Sequence, residues 1–233
     1  MLVAGYIPCR KGSTRLKNKN FDIFANSMSL ADMAIDQGMS SKFVNKVLVD
    51  TDNDEFLSTL MSISAPKQVI GLRRPDRLAT SSVATLDTML HMIGLFEEML
   101  EQTIDVIVLL QPTSPLRRWQ TIDLAIQEFH SRKTPLITAV TQCPINLSDT
   151  VFIDPLDLSV VNCISKPIED ALFVTGAFYI LTRDRLLNHT NPFRPTVKEH
   201  LFMTPFDEFI DIDYPCQYDL ARTIFKDRSN NYV

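Results

Sequence analysis

Short apolar runs alternate with amphipathic stretches along the first part of the chain. Buried strands are predicted at 2–8, 45–52, 67–70, 104–110 and 136–141. Amphipathic helices are predicted at 29–38, at 55–63, from a Thr80–Ser82 cap to about Glu101, and at 121–132. Strands and helices that alternate in this order imply right-handed parallel crossovers. The pattern therefore predicts an α/β fold with a mostly parallel sheet.

The alternation breaks between residues 142 and 172, where short apolar pieces at 151–153 and 160–161 are separated by turn residues. We interpret 142–172 as a hairpin inserted in a single domain that spans 1–233. An excursion of about thirty residues cannot bury a core of its own, so we expect a second copy to cover it in a homodimer.

The pattern becomes regular again after the insertion. The sheet resumes at 174–181 and a helical turn follows at 184–187. A further strand is predicted at 208–213 and a last helix at 214–226.

Composition excludes several classes of protein. The chain has 233 residues, of which 45% are hydrophobic and 22% charged, enough to bury the core of one α/β domain. It has no apolar run of membrane-spanning length and no secretory leader pattern at its start, so we expect a cytoplasmic protein without a membrane partner. A net charge of −5 without a long basic stripe argues against nucleic acid as a partner. The four cysteines are scattered and have no zinc-ligand spacing.

The loop after the first strand carries an unusual density of positive charge. Residues 9–21 hold five cations in a chain whose 23 basic residues are outnumbered by 28 acidic ones: Arg10, Lys11, Arg15, Lys17 and Lys19. Gly12 and the small residues after it let backbone amides approach phosphate oxygens, while the cations neutralise a nucleoside triphosphate. Neither a Walker loop nor a Gly-x-Gly-x-x-Gly motif is present, so we expect a phosphate site of another class. A solvated basic turn is the alternative.

The polar turn at 111–118 follows the most hydrophobic predicted strand. Ligands of open parallel sheets bind beyond the carboxyl ends of the strands, so this turn is expected to face the same crevice as the basic loop. Ser114, just before Pro115, is also suited to begin a helix as its cap.

Two carboxylates near the end of the chain indicate a metal site. In a strand at 208–213, Asp211 and Asp213 would share one face while Ile210 and Ile212 point into the core. Such a pair makes half of a Mg²⁺ site and leaves the other positions to phosphate oxygens and water. An acidic strand end that faces solvent is the alternative.

Three separated segments resemble the acylneuraminate cytidylyltransferases, which make CMP-sialic acid and CMP-activated relatives. They are Ile7-Pro8-Cys9-Arg10-Lys11-Gly12-Ser13 with Lys19-Asn20, the nonapeptide from Leu109 to Arg117, and Ile210-Asp211-Ile212-Asp213. Residues 74–75 and 176–179 fit as well, so the resemblance covers about residues 3 to 225. It implies a Rossmann-like nucleotidyltransferase sheet with a projecting dimerisation hairpin, and transfer of CMP from CTP to the anomeric hydroxyl of a sialic-acid-like nonulosonic acid.

The resemblance also implies roles for individual residues. Arg10, Lys19, Asp211 and Asp213 would form the catalytic set, with the two aspartates as ligands of Mg²⁺. CTP would be bound by Arg10, Gly12, Ser13, Lys19, Asn20, Arg74, Thr85, Gln111 and Ser114. The sugar pocket would contain Phe173, Thr175, Gly176, Phe178 and Tyr179.

Two departures from the family pattern fall where the family binds the sugar. Many sialic-acid members carry Arg-x-Asn before the Gly-Ala pair and His-Pro after the strand at 136–141, whereas this chain has Phe173-Val174-Thr175 and Cys143-Pro144-Ile145-Asn146. A phenyl ring in place of a guanidinium removes a polar partner and leaves an apolar surface. We therefore expect an acceptor other than N-acetylneuraminate, such as a dideoxy diamino relative.

Three alternatives remain open at this point. Ser13-Thr14-Arg15-Leu16 is similar to the sister enzymes that activate the eight-carbon acid KDO, although those have Gln-Gly-Asp-Glu-Pro where this chain has Gln111-Pro112-Thr113-Ser114. A glycosyltransferase of related sheet topology would place its Asp-x-Asp after a mid-chain strand, not late in the chain. A nucleotide-binding module without catalysis would not need both the cations and the aspartates.

Overall fold

A seven-stranded sheet organises the chain in the computed structural model, which describes residues 1–13, 15–60, 68–142, 151–153, 160–163, 171–197 and 199–230. The strands are β1 (Val3–Pro8), β2 (Ile23–Ala25), β3 (Met28–Ser29), β4 (Lys46–Thr51), β5 (Gln68–Arg73), β6 (Val106–Leu109), β7 (Leu136–Gln142), β8 (Val151–Ile153), β9 (Val160–Cys163), β10 (Leu172–Thr182) and β11 (His200–Met203). The helices are α1 (Leu30–Ser40), α2 (Asp54–Leu60), α3 (Thr85–Leu100), α4 (Trp119–Arg132), α5 (Arg183–Asn188) and α6 (Pro215–Asn230). Short 3₁₀ helices occupy Asp76–Leu78 and Phe206–Glu208.

The large sheet runs in the order β11-β7-β10-β6-β1-β4-β5. β1 pairs in parallel with β4 and β6, β4 with β5, and β7 with β11. β10 is antiparallel to both of its neighbours, β6 and β7. The prediction of an α/β fold with a mostly parallel sheet is therefore confirmed.

Both faces of the sheet are buried, which is why its strands are nearly continuous apolar runs. On β1, Val3 and Ile7 pack into a core shared with α1 and α4, whereas Ala4 and Tyr6 pack into a second core shared with α3. A third cluster joins the region around β2 and β3 to Ile210, Ile212 and α6. None of the helices in the described part of the chain is both long and apolar enough to cross a membrane.

The start of α1 was predicted correctly. Ser29 accepts a hydrogen bond from the amide of Asp32, and the Asp32 carboxylate accepts one from the amide of Ser29, so the two residues form a capping box.

Two predicted helix starts were wrong. α3 begins at Thr85 with Ala84 at the cap position and no side-chain cap, so Thr80–Ser82 lies ahead of the helix. Ser114 does not cap a helix either, because α4 begins at Trp119 with Arg118 at the cap position.

The strand predicted at 208–213 is absent from the structure. Phe206–Glu208 is a 3₁₀ helix, and residues 209–213 belong to no helix and no strand ladder. The amide of Ile212 donates to the Thr113 carbonyl at 2.8 Å, so the segment lies against the turn after β6. The predicted alternation nevertheless holds, since Ile210 and Ile212 are buried while the two aspartates are partly exposed.

Three short strands were missed, namely β2, β3 and β11. Within the insertion, β8 and β9 pair as antiparallel strands, in agreement with the apolar pieces predicted there. The intervening ranges, and with them Cys143–Asn146, lie outside the described residues. A dimerisation role for 142–172 stays a prediction.

Candidate active site

A cavity of about 420 Å³ opens beyond the carboxyl ends of β1 and β6. The first strand contributes Pro8, the turn after β6 contributes Gln111–Thr113, and the segment before α6 contributes both aspartates. The polar lining comprises Arg10, Ser13, Arg15, Lys19, Asn20, Arg74, Thr80, Ser81, Thr85, Thr88, Gln111, Thr113, Asp211 and Asp213. Fold topology thus brings the basic loop, the central turn and the late carboxylates to one place.

Asp213 is held by cations of the basic loop through both of its oxygens. Lys19 Nζ lies 3.1 Å from Oδ1 and also donates to the Ile212 carbonyl at 2.6 Å. Arg15 Nη2 lies 3.1 Å from Oδ2. The Arg15 guanidinium also stacks on the Tyr214 ring, with its central carbon 5.1 Å from the ring centroid. The basic loop and the carboxylate segment therefore contact each other directly across the cavity.

Asp211 lies deeper than Asp213. Its Oδ1 is buried and has no hydrogen-bond partner among the described residues. Burial raises the pKa of the Asp211 carboxyl and the charge of Asp213 raises it further, whereas the nearby Thr113 hydroxyl, Lys19 and Arg15 act in the opposite direction. Gly176 lies beside this carboxylate with φ +69°, and a Cβ there would be 3.8 Å from Oδ2. Glycine suits this position because larger residues rarely adopt that backbone conformation.

The basic loop carries unsatisfied polar atoms beside the cavity. Arg10 Nη1 is buried without a hydrogen-bond partner among the described residues, and so is Asn20 Oδ1. The Asn20 Nδ2 group donates to the Arg10 carbonyl at 3.0 Å, which fixes the start of the loop. Buried polar groups are rarely left unpaired, so a guanidinium in this state is suited to an anion that enters the cavity.

Arg74 reaches the cavity from the end of β5 and is held by Asp50 from β4. Its Nε donates to Asp50 Oδ2 at 3.0 Å and its Nη2 donates to Oδ1 at 2.7 Å. The Tyr6 hydroxyl donates to Asp50 Oδ2 at 3.0 Å. All three side chains are buried, and burial raises the pKa of Asp50 although Arg74 opposes that shift. Sequence reasoning missed Asp50, for which the polar end of an apolar strand was the available signal.

Two of the predicted CTP contacts do not line the cavity, namely Gly12 and Ser114. Ser114 is fully buried, and its hydroxyl has no hydrogen-bond partner in the part of the chain that the structure describes. The other predicted contacts line the cavity, namely Arg10, Ser13, Lys19, Asn20, Arg74, Thr85 and Gln111.

The residues predicted to form the sugar pocket lie along β10, and their side chains are divided between its two faces. Phe178 is fully buried and packs on Phe202, with ring centroids 6.0 Å apart, and Tyr179 packs on Phe193 at 5.3 Å. Thr175 is buried and its hydroxyl donates to the Ala139 carbonyl at 3.2 Å. Phe173 is exposed at the start of the strand. None of these side chains lines the cavity.

A family model described as Cytidylyltransferase matches residues 4–230. The chain belongs to the cytidylyltransferase family. This membership confirms the predicted enzyme class, a nucleotidyltransferase.

Relatives of this cytidylyltransferase include two curated proteins. The chain is 27% identical over 236 residues to the CMP-N,N'-diacetyllegionaminic acid synthase of Legionella pneumophila, covering 97% of each chain. It is 26% identical over 240 residues to the N-acylneuraminate cytidylyltransferase of Escherichia coli O18:K1:H7, covering 99% of this chain and 54% of that protein.

A solved structure of CMP:2-keto-3-deoxy-manno-octonic acid synthetase complexed with CTP has the same fold as the cytidylyltransferase. It superposes with a TM-score of 0.65 at 16% identity and covers 98% of this chain and 100% of that chain. The fold class predicted from the sequence is confirmed by this similarity.

Proposed function

We propose that this cytidylyltransferase transfers CMP from CTP to the anomeric hydroxyl of a nonulosonic acid. The anomeric oxygen would lose its proton to solvent and form a bond to the α-phosphorus, the bond between the α-phosphorus and the bridging oxygen of the β-phosphate would break, and pyrophosphate would leave. The observation that carries the proposal is the single cavity in which Arg10, Arg15 and Lys19 face Asp211 and Asp213. The activities for which the Legionella and Escherichia relatives are named support the same substrate class.

The polar lining divides the proposed CTP contacts into two groups. Arg10, Arg15 and Lys19 would neutralise the triphosphate, because phosphoryl transfer depends mainly on positioning and charge compensation. The nucleoside would lie against Asn20, Arg74, Thr85 and Gln111, which line the same cavity. Ser13 lines the cavity beside the cations, whereas Gly12 and Ser114 would act indirectly by shaping the two turns.

Asp211 and Asp213 are the residues that would hold Mg²⁺. Within the described ranges no group of three or more His, Cys, Asp or Glu side chains could hold a metal ion. Mg²⁺ often binds through one or two carboxylates together with substrate phosphates and water, so a pair of aspartates fits this ion. Asp211 Oδ1 has no hydrogen-bond partner among the described residues, so this oxygen would be available to coordinate the ion. Bound Mg²⁺ would neutralise charge that develops on the phosphates.

Lys19 and Arg15 would change partners when CTP binds. Both cations contact Asp213. Bound triphosphate would compete with Asp213 for these cations, and the exchange would release the Asp213 oxygens.

The preferred acceptor is proposed to be a diacetylated dideoxy diamino nonulosonic acid. Phe173-Val174-Thr175 stands where many sialic-acid members carry a guanidinium and an amide, and the Legionella relative is named for a diacetylated acid. A hydroxyl of the acceptor that met Phe173 would find no polar partner there, which would disfavour N-acetylneuraminate.

Pyrophosphate release with CTP and Mg²⁺ tests both the reaction and the acceptor. The acids to compare are N,N'-diacetyllegionaminic acid, N-acetylneuraminate and KDO. We expect kcat/KM for the diacetylated acid to exceed that for N-acetylneuraminate by roughly tenfold or more. ATP in place of CTP is the nucleotide control and is expected to give no turnover. KDO as the best acceptor would favour the rival enzyme, and no release with any acid would reject the proposal.

We also propose a homodimer, because the end of the sheet formed by β10, β7 and β11 exposes a patch of apolar side chains. Val174 and Met203 flank Val140 in the same row of β10, β7 and β11, and they are 43% and 54% exposed. Leu172, which shares a face of β10 with Val174, and Phe206 are also exposed. β10 continues directly from the inserted hairpin, so a second copy that covers the hairpin would also cover the patch.

The dimer is tested by placing a charge in the patch. We expect Met203→Glu to convert the dimer to a monomer in light scattering at micromolar concentration, because a buried unpaired carboxylate opposes association. Leu124→Glu is the matched control, since Leu124 is an exposed leucine on α4 outside the patch. A wild-type chain that is monomeric at this concentration would contradict the proposal.

A further inference from the structure

Arg117 is a buried guanidinium whose hydrogen bonds in the structure all go to neutral acceptors. Its Nε and Nη2 donate to Gln37 Oε1 at 3.0 Å and 2.7 Å. Its Nη1 donates to the carbonyls of Gln111, at 3.3 Å, and Ala177. Burial lowers the pKa of Arg117 to about 9, although the charge of Glu208 acts in the opposite direction. Keeping a charge here costs free energy, which calls for a reason beyond packing.

Gln37 fixes the orientation of this guanidinium. Its Nε2 donates to the carbonyls of Pro115, at 2.9 Å, and Arg117, at 2.8 Å. Gln37 is itself buried on α1. The two side chains therefore form a closed unit, the Arg117–Gln37 pair, that joins α1 to the turn after β6.

Arg117 Nη1 makes its contacts just beyond the end of the ladder between β6 and β10. The ladder between β6 and β10 runs from Val106↔Thr182 to Leu109↔Tyr179 and ends there. Continued in the same register, it would join Leu110 to Phe178 and then Gln111 to Ala177, the two residues whose carbonyls accept from Arg117 Nη1. Arg117 thus bridges the two strands at the point where their backbones no longer pair.

The two segments that Arg117 bridges are both connected to the cavity. Gln111 lines the cavity. Ala177 follows Gly176, which lies beside the carboxylate of Asp211, and Asp211 lines the same cavity. We propose that Arg117 is a positioning residue that sets the separation between the turn after β6, where Gln111 would bind the nucleoside, and the Gly176–Ala177 part of β10, which lies beside the proposed metal ligand. The inference rests on the proposed cytidylyl transfer, in which two bound substrates must meet in line.

Positioning predicts a loss of turnover without a matching loss of nucleotide binding. Arg117→Lys keeps the charge but cannot reach Gln37, Gln111 and Ala177 together, because an ammonium lacks the planar fork. We expect kcat with a saturating nonulosonic acid to fall about tenfold to a hundredfold, the usual effect of small misplacements of reacting groups. The Kd for CTP, measured by calorimetry, is expected to stay within about threefold of wild type, since Arg117 does not line the cavity.

Arg185→Lys is the matched control. Arg185 is also buried and also bridges segments, through Glu199 and the carbonyls of Pro192 and Arg194, but it lies outside the cavity. We expect this variant to have a lower Tm than wild type, while its kcat stays within about twofold of wild type. A kcat of Arg117→Lys within twofold of wild type, or equal losses of kcat in the two variants at equal losses of Tm, would overturn the inference.

Gln37→Ala provides a second variant that is expected to fold. Alanine is a good helix former, and Gln37 lines a second cavity of about 460 Å³, from which solvent would reach the released polar groups. We expect kcat to fall roughly tenfold, because the guanidinium loses its orientation. An unchanged kcat in this variant would also count against the inference.

Hydrogen exchange separates this inference from the proposed function. If the wild-type chain showed no turnover with any acid, the proposed function would be rejected. The link that Arg117 makes between Gln111 and Ala177 could still be tested. We expect Arg117→Lys to accelerate amide exchange in residues 106–116 and 172–182 together, and Arg185→Lys to accelerate it in neither. Unchanged exchange in both segments of Arg117→Lys would overturn the bridge independently of activity.

Discussion

Asp211→Asn and Asp213→Asn are each expected to lower kcat by roughly a hundredfold or more while the chain stays folded. The fold of this segment depends on Ile210 and Ile212, which are buried, whereas the aspartates face the cavity. An amide keeps the size of each side chain but removes the charge that Mg²⁺ and the triphosphate require. Pyrophosphate release at saturating Mg²⁺ measures the loss, and thermal unfolding reports the fold.

The two variants are expected to differ in stability. Burial disfavours the charged form of Asp211, so Asp211→Asn is expected to have a Tm at neutral pH at least equal to that of wild type. Asp213→Asn loses contacts with Arg15 and Lys19 that are partly exposed, and it is expected to change Tm little. Asp219→Asn on α6 is the matched control, because it makes the same chemical change outside the cavity. Near-normal turnover of either cavity variant would contradict the metal assignment.

The central strands could be predicted because both of their faces are buried. β1, β4, β6 and β7 are therefore apolar runs that stand out in the sequence. β11 has one buried residue, Phe202, and lies at the edge of the sheet, so its pattern is weak. β2 and β3 have three and two residues and fall below the length at which alternation can be read.

The segment at 210–213 shows what alternation alone establishes. Ile210 and Ile212 pack inward and the aspartates face outward, as in a strand, but the backbone makes a single bond to Thr113 and no ladder. Alternating burial requires only an extended chain that lies on a surface. The sequence could therefore predict which side chains face the ligand without predicting the element that carries them.

The loop cations and late aspartates could be found from local charge, whereas Asp50 and Arg117 could not. Asp50 meets Arg74 across 24 positions and Arg117 meets Gln37 across 80. Arg74 pairs with a carboxylate and Arg117 with an amide because of which elements the fold places side by side. No short motif encodes that arrangement. Residues that position the site are for this reason harder to predict than residues that line it.

Asp50→Asn is expected to destabilise the chain by about 3–5 kcal/mol, because removing one partner of a buried ion pair leaves the other charge uncompensated. Arg74 and Asp50 are both buried, and their contact is bidentate. We also expect weaker CTP binding, since the carboxylate orients the guanidinium that faces the cavity. Urea unfolding and calorimetry with CTP measure the two effects.

The neighbouring residue supplies a matched control. Arg73 pairs with Asp54 at 2.9 Å, but these side chains are 46% and 71% exposed. Asp54→Asn is therefore expected to cost a small fraction of the stability lost in Asp50→Asn, because solvent screens an exposed pair. CTP affinity is expected to be unchanged, since neither Arg73 nor Asp54 lines the cavity. Equal losses of stability in the two variants would show that the Asp50–Arg74 pair is not held as the structure describes.

The double variant Asp50→Leu with Arg74→Met separates stability from function at this position. Replacing both buried charges with apolar groups of similar size is often neutral or stabilising, so we expect it to recover most of the stability lost in Asp50→Asn. The Tyr6 hydroxyl loses its acceptor in this variant, which keeps the recovery incomplete. CTP binding is nevertheless expected to stay weak, because the cavity then lacks the guanidinium that would contact the nucleoside. A folded double variant that binds CTP as tightly as wild type would remove Arg74 and Asp50 from the nucleotide site.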